Sequence, residues 1–352
     1  MQPTDSADLA KRVRDLYSDA EEIILTKLAR QVARGITTET WVDRKYRDLQ
    51  ALNTSLDKVL ADLADDVPGA VEAVMQMAYN RGTAAAVNDL QEVGRAAGAV
   101  AAPPVAPSVA VFAEATTEAL ADTPFRVRRW TNDVYSRVAA ETAGQVLTGT
   151  QTRREAASSA LRKYAARGVT GFVDRSGRNW DLASYAEMAT RTQTTQASLE
   201  GHTRKLQDLG QDLVVISDAS EECKLCRPYE GKVFSIAGGS TQYPPLRSAI
   251  SGGLFHPNCR HTQSLYIHGI TKTPKNTADP KGNKLRERQR AYERRVRQWK
   301  RRVILDNEVY GKDSAAAKAT RGKLRAAQAE FKQFRDSNDR KTLSYRTSLT
   351  AR

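Results

Sequence analysis

The sequence predicts a mainly α-helical protein, with a small α+β domain set between an N-terminal helical bundle and basic C-terminal helices. Three observations predict it. Apolar residues recur at helical spacing over most of the 352 residues. Short β-branched and aromatic runs are confined to the stretch from about 169 to 267. The positive charge collects beyond residue 280.

Leu9, Val13, Leu16, Ala20, Ile24 and Leu28 make the first helical stripe, which Gly35 ends. Thr37-Thr38-Glu39 reads as a second start, with Leu49, Leu52, Leu56, Val59 and Leu63 as its stripe. Pro68 suits the first turn of a third helix that runs to about Gly94. Three amphipathic helices with short connections predict an antiparallel bundle over residues 1–97. Residues 98–108 are rich in proline and alanine and read as a linker.

Helices resume near Val109. The one after Pro124 places Phe125, Trp130, Val134 and Val138 on or near one face, and Thr152–Ala166 reads as another. Val169–Val173 and Asn179-Trp180 flank a turn and predict a hairpin. Ala183–Leu209 is a helix ended by Gly210, and Leu213–Ser217 a short buried strand. Residues 237–254, rich in Gly, Ser and Pro, predict a long loop. From Lys284 the pattern is helical again: Tyr292, Val296, Trp299 and Val303, then Leu324, Ala327, Phe331 and Phe334 beyond Gly311.

No apolar run approaches the ~20 residues of a membrane span, and Met1–Asp5 does not read as the start of a signal peptide. The net charge of +14 is unevenly placed. Lys281–Arg352 holds 22 basic and 8 acidic residues, whereas residues 1–97 hold 12 basic and 16 acidic. A basic appendage on a neutral body points to an acidic polymer, most simply nucleic acid. Arg286, Arg288, Arg290, Arg294, Arg295, Arg297, Lys300, Arg301 and Arg302 are the candidate phosphate contacts. No base-reading motif accompanies them, so such binding would be non-specific. The competing reading is a charged helix that serves solubility or subunit contacts.

All three cysteines sit in Cys223-Lys-Leu-Cys226 and His256-Pro-Asn-Cys259-Arg-His261. C-x-x-C followed by H-x-x-C is the spacing of two facing knuckles, each giving two side chains to one tetrahedral ion, usually Zn2+. Cys223, Cys226, His256 and Cys259 are the expected ligands, with His261 in reserve or behind them. Four ligands without a carboxylate describe a closed, structural site, and a clamp suits the long loop between the knuckles. The enzymatic alternative is a zinc-dependent, HNH-like nuclease using His261 or His268 as base; no second metal-binding set stands beside it. Four threonines between 190 and 195 are costly in a helix. Side chains here, Thr192 among them, are therefore expected to bond a neighbouring loop such as the knuckles, with Arg191 bridging to a carboxylate or carbonyls.

The span from about Ala189 to Gly269 resembles the phage minor capsid and head-morphogenesis proteins, the Mu F-like group, and most closely its phage minor capsid protein 2 branch. The resemblance rests on Arg191-Thr192, Asp212–Ser217, Cys223–Ile236, Ser251-Gly252-Gly253, His256–His261 and a short strand at Tyr266-Ile267. The Arg-rich helix from Arg288 to Arg302 is similar too. Gln193 departs from the acidic residue that many members of the wider group carry. The resemblance implies a minor structural component of a tailed-phage virion, not an enzyme. It would be made in the host cytoplasm and lie inside the head near the portal vertex. Its implied partners are the portal protein, a major capsid or scaffolding protein, and packaged double-stranded DNA. On this reading residues 1–97 dock to the portal or capsid, residues 109–280 form the zinc-clamped domain, and residues 281–352 form the basic tail.

Overall fold

The computed structural model describes residues 3–35, 41–94, 106–149, 151–166, 168–173, 177, 179–222, 224–257, 259–275 and 278–349. Helices dominate, as the periodicity predicts. They are α1 (Pro3–Gly35), α2 (Trp41–Glu92), α3 (Pro107–Ala121), α4 (Thr123–Leu147), α5 (Arg153–Ala165), α6 (Leu182–Asp208), α7 (Leu246–Ser251), α8 (Pro280–Tyr310) and α9 (Ala315–Asp336). The strands are β1 (Thr170–Val173), β2 (Asn179–Asp181), β3 (Leu213–Ile216), β4 (Val233–Ser235) and β5 (Gln263–Leu265).

Several elements differ from expectation. The second and third N-terminal helices are one helix, α2, with Pro68 inside it. Proline removes a helical hydrogen bond and crowds the preceding turn, yet the helix continues through it, with Val67 and Val71 both buried. Phe125 is 67% exposed, whereas Trp130, Val134 and Val138 are buried. The long loop between the knuckles contains α7. The last strand precedes Tyr266-Ile267. Most of the Pro/Ala linker and the turn of the β1–β2 hairpin lie outside the described residues.

The chain divides into two compact units that cut across the linear blocks expected from sequence. One comprises Met1–Val13, Pro68–Ala119 and Glu187–Glu287; the other comprises Arg14–Val67, Leu120–Ala186 and Arg288–Arg352. The boundaries expected at 97 and 281 fall within stretches that the first unit draws on. Stretches distant in sequence share each core.

In the first unit, β3 lies between β4 and β5, antiparallel to both. Val214 and Ile216 of β3, Phe234 and Leu265 form an apolar core with Leu90 of α2 and Leu199 and Leu206 of α6. The two helices approach closely at Gly82 and Gly201, where a Cβ would collide with the carbonyls of Ser198 and Tyr79 respectively. Asp89 of α2 accepts a 2.6 Å bond from Leu265 N–H and faces His202 Nε2 at 3.0 Å. The polar ends of the packed elements are thereby satisfied where water is excluded.

In the second unit, Leu52, Leu56, Val59 and Leu63 are buried as their stripe predicts. β1 pairs antiparallel with β2. A capping box at Thr152 and Glu155 starts α5. Gly311, at φ 88°, breaks α8 from α9, and Tyr292 packs on Phe331 and Phe334. Arg301 is buried among carboxylates, 3.0 Å from Glu21 and 3.4 Å from Asp181. Asp306, fully buried, takes Arg162 at 2.7 Å and Thr320 at 2.5 Å.

Candidate metal centre

The Cys/His cluster is built by two loops that meet at one end of the three-stranded sheet. β3 and β5 run antiparallel and pair Ile216 with Gln263. The loop leaving β3 and the loop entering β5 therefore emerge side by side. On the first, Cys226 opens a 3-10 turn over Arg227–Tyr229, closed by Tyr229 N–H on the Cys226 carbonyl at 2.9 Å. Gly231, at φ 68°, then turns the chain back and donates to the Ile216 carbonyl at 3.0 Å. On the second, Leu254 and Phe255 are buried and anchor the approach to His256. Phe255 takes a left-handed φ of 59°, and its carbonyl accepts from Gln196 of α6 at 3.1 Å. Cys259 N–H closes the next turn on the His256 carbonyl at 2.9 Å.

Cys226, His256 and Cys259 bring their ligand atoms within 4.8 Å of one another. Cys226 Sγ lies 3.4 Å from Cys259 Sγ. A disulfide needs ~2.05 Å, so these are two separate thiols at a spacing that suits the corners of a tetrahedron around an ion with Zn–S of about 2.3 Å. The donor set, soft sulfur with imidazole, fits zinc. Cys223, the fourth ligand expected from sequence, lies outside the described residues.

The two nearby histidines have different roles. His256 Nδ1 is 2.8 Å from the Pro257 carbonyl. A carbonyl only accepts, so Nδ1 carries the proton and Nε2 is the nitrogen that can ligate. His261, 2% exposed, has Nε2 2.6 Å from Glu230 Oε1 and Nδ1 3.4 Å from Cys259 Sγ. Hydrogen bonding from Cys226, opposed by burial and joined by His261, draws the Cys259 thiol down to about 4. Burial alone would lower His261, but its bonds to Cys259 and Glu230 raise it. Both effects favour the thiolate that binds metal.

An outer ring steadies the loops. Arg260 pairs with Glu221 at 2.8 Å, and Arg227 reaches Glu222 at 2.5 Å. Both Glu222 oxygens accept Asp279 N–H at 3.1 Å.

Thr192 bonds within its own helix, and Arg191 stands beside a carboxylate. Thr192 donates to the Met188 carbonyl at 2.8 Å, and Arg191 stands 3.9 Å from Glu187, both within α6. A threonine hydroxyl reaches the carbonyl one turn back more readily than a distant loop. Gln196 of α6 reaches the loop before the second knuckle, at the Phe255 carbonyl. Sequence reasoning missed Gln196 and Glu230; the signal for Glu230 was an acidic residue inside the first knuckle. His268 is exposed, with Nδ1 3.5 Å from Tyr243 Oη.

The arginines of α8 are largely occupied. Arg301, expected on a phosphate, is 3% exposed and paired with Glu21 and Asp181, so it is corrected to a core residue. Arg297 is 3.7 Å from Asp181, Arg290 is 2.7 Å from Glu293, and Arg295 is 2.6 Å from Glu330. Arg302 stacks over Trp299, and Arg286 bonds Asn283. Lys300 is half-buried, with burial lowering its ammonium and Glu22 opposing. Arg288, Arg294 and Arg295 are exposed. So are Lys318, Lys323, Arg325 and Lys332 of α9, which sequence reasoning did not select.

No solved structure matches the chain. A protein of Lactococcus phage LL-H described as "Structural protein" is 27% identical over 225 residues, which cover 60% of this chain and 60% of that protein. The model of the family described as phage minor capsid protein 2 matches residues 1–336, nearly the whole length, with the Cys/His loops inside it. The chain belongs to the phage minor capsid protein 2 family.

Proposed function

We propose that this minor capsid protein works inside the head of a tailed phage, next to the portal, where it assists assembly and genome packaging or delivery. Its metal is a structural zinc that holds the two loops to the sheet. The observation that carries the zinc reading is the convergence of Cys226, His256 and Cys259 within 4.8 Å, with no carboxylate in the set. A catalytic zinc keeps an open position and a carboxylate or histidine free to move protons. Here Glu230 and His261 are spent on each other, which favours the structural role over the nuclease reading.

DNA contact is assigned to exposed cations of the second unit. Lys318, Arg325 and Lys332 recur every seven residues on α9, a stripe along one face of the helix. The apolar face of α9, with Ala327, Phe331 and Phe334, is buried, so the basic face is available to a phosphate backbone. Docking to the portal or to a capsid or scaffolding protein is assigned to the N-terminal helices. Tyr46, 88% exposed between exposed Arg44 and Arg47, is the first position to alter.

The test is a protein inventory of purified virions and of ejected material. The reading expects the protein in heads that contain portal, and expects Tyr46→Ala to lower its incorporation. Absence from mature virions, or a metal-dependent DNA cleavage by the purified protein, would replace it.

A further inference from the structure

We infer that Glu230 and His261 form an outer-shell relay that holds Cys259 for the metal, and that His261 is a positioning residue, not a ligand. The inference rests on the zinc reading above. Three observations carry it. First, both ring nitrogens of His261 have partners: Nε2 meets Glu230 Oε1 at 2.6 Å, and Nδ1 meets Cys259 Sγ at 3.4 Å. Second, Cys259 Sγ also accepts the His261 backbone N–H at 3.3 Å. One residue thus gives the sulfur two hydrogen bonds. Third, the relay is closed to water, with Glu230 3% and His261 2% exposed.

The ring lies between the two groups, with Nε2 on the Glu230 carboxylate and Nδ1 on the Cys259 sulfur, so a turn of the imidazole would lose both contacts. Glu230 is itself fixed, since the same Oε1 accepts Ala219 N–H at 3.2 Å from the loop leaving β3. The carboxylate therefore ties the first loop to the second through the imidazole. His256, whose Nδ1 is held by its neighbour's carbonyl, presents the nitrogen that His261 cannot. The motif H-P-N-C-R-H then uses its first histidine on the metal and its second behind the sulfur. Outer-shell partners of this kind set metal affinity by about 10–100-fold.

The test uses the full chain with zinc, a chromophoric chelator as competitor, and cobalt as a spectroscopic substitute. Glu230→Gln and His261→Gln should each weaken zinc binding about 10-fold or more while wild-type stoichiometry is kept at saturating metal. The double variant should lose little more than the weaker-binding single variant, because the two groups act in series. The cobalt spectrum should keep its ligand-field pattern in both. His256→Gln should shift that pattern, as loss of a nitrogen ligand requires. If His261→Gln shifts the cobalt pattern and His256→Gln does not, the roles are reversed and the inference fails. Unchanged zinc affinity in both relay variants overturns it too. A wild-type chain that binds no zinc sinks the underlying reading instead. Should His261→Gln not fold, Glu230→Gln alone decides, since it keeps a hydrogen-bond acceptor of nearly the same shape.

Discussion

Replacing Arg301 with methionine separates a buried structural arginine from a phosphate-binding one. The guanidinium lies 3.0 Å from Glu21 and 3.4 Å from Asp181, and all three are buried or nearly so. At an effective dielectric constant of about 20, each contact is worth roughly 5 kcal/mol before desolvation. Removal of the guanidinium cost offsets part of this, but two carboxylates stay behind without their shared cation. Breaking one partner out of such a group costs about 3–5 kcal/mol. All four tryptophans, at positions 41, 130, 180 and 299, fall in the same unit as Arg301. Urea unfolding followed by their fluorescence therefore reads this unit. With a slope of about 1–3 kcal/mol per molar, the midpoint should fall by about 1–5 M.

The pH dependence supplies a second signature. Burial alone would raise Asp181, but Arg301, Arg297 and the Ser184 N–H reverse this and hold it at about 2. That depressed value contributes stability above the ordinary carboxylate range and loses it as pH falls toward 2. Glu21 goes the other way: burial raises it, and Arg301 only partly opposes. Its contribution weakens as pH climbs through its folded value. Without Arg301 both carboxyls rise, and each takes up a proton more readily when folded. The deficit of Arg301→Met should thus be largest near pH 8 and shrink toward pH 5. Adding Glu21→Gln and Asp181→Asn should recover much of the loss. A midpoint unchanged from wild type, together with weaker DNA binding, would return Arg301 to the surface and refute the argument.

Three further outcomes are expected. Gly201→Ala should destabilise the first unit by about 1–3 kcal/mol through overpacking against the Tyr79 carbonyl, read as a lower thermal midpoint; an unchanged midpoint would mean that α2 and α6 are not in close contact there. Lys318→Gln, Arg325→Gln and Lys332→Gln together should make the slope of log K against log salt shallower by about 3 for double-stranded DNA, and an unchanged slope would remove α9 from the interface. Cys259→Ser should abolish zinc binding and lower the melting temperature of the first unit, whereas a zinc-loaded variant of normal stability would exclude Cys259 as a ligand.

What the sequence showed and what it hid follow from the range of the interactions involved. The coming together of Cys226, His256 and Cys259 was legible because cysteine is scarce and the two knuckle spacings stand close together. Leu52, Leu56, Val59 and Leu63 were legible because burial on one helical face imposes a period. Arg301 was not: an arginine paired with Glu21 and Asp181 looks the same in sequence as one facing solvent, and both partners are far away along the chain. Pro68 misled for a similar reason. Its local cost is visible, but the burial of Val67 and Val71 on either side of it is not. Thr192, Thr194 and Thr195 of α6 bond carbonyls of their own helix, where proximity decides. The truncation boundaries that sequence suggested, at 97 and 281, would cut through shared cores, since both units draw on discontinuous stretches.

Metal content tests the central claim most directly. Elemental analysis of the full chain, purified near neutral pH without chelators, should find one zinc per chain, and Cys226→Ser should lose it. Less than half an equivalent in the native protein, or a full equivalent retained in Cys226→Ser, would contradict a zinc held by Cys226, His256 and Cys259.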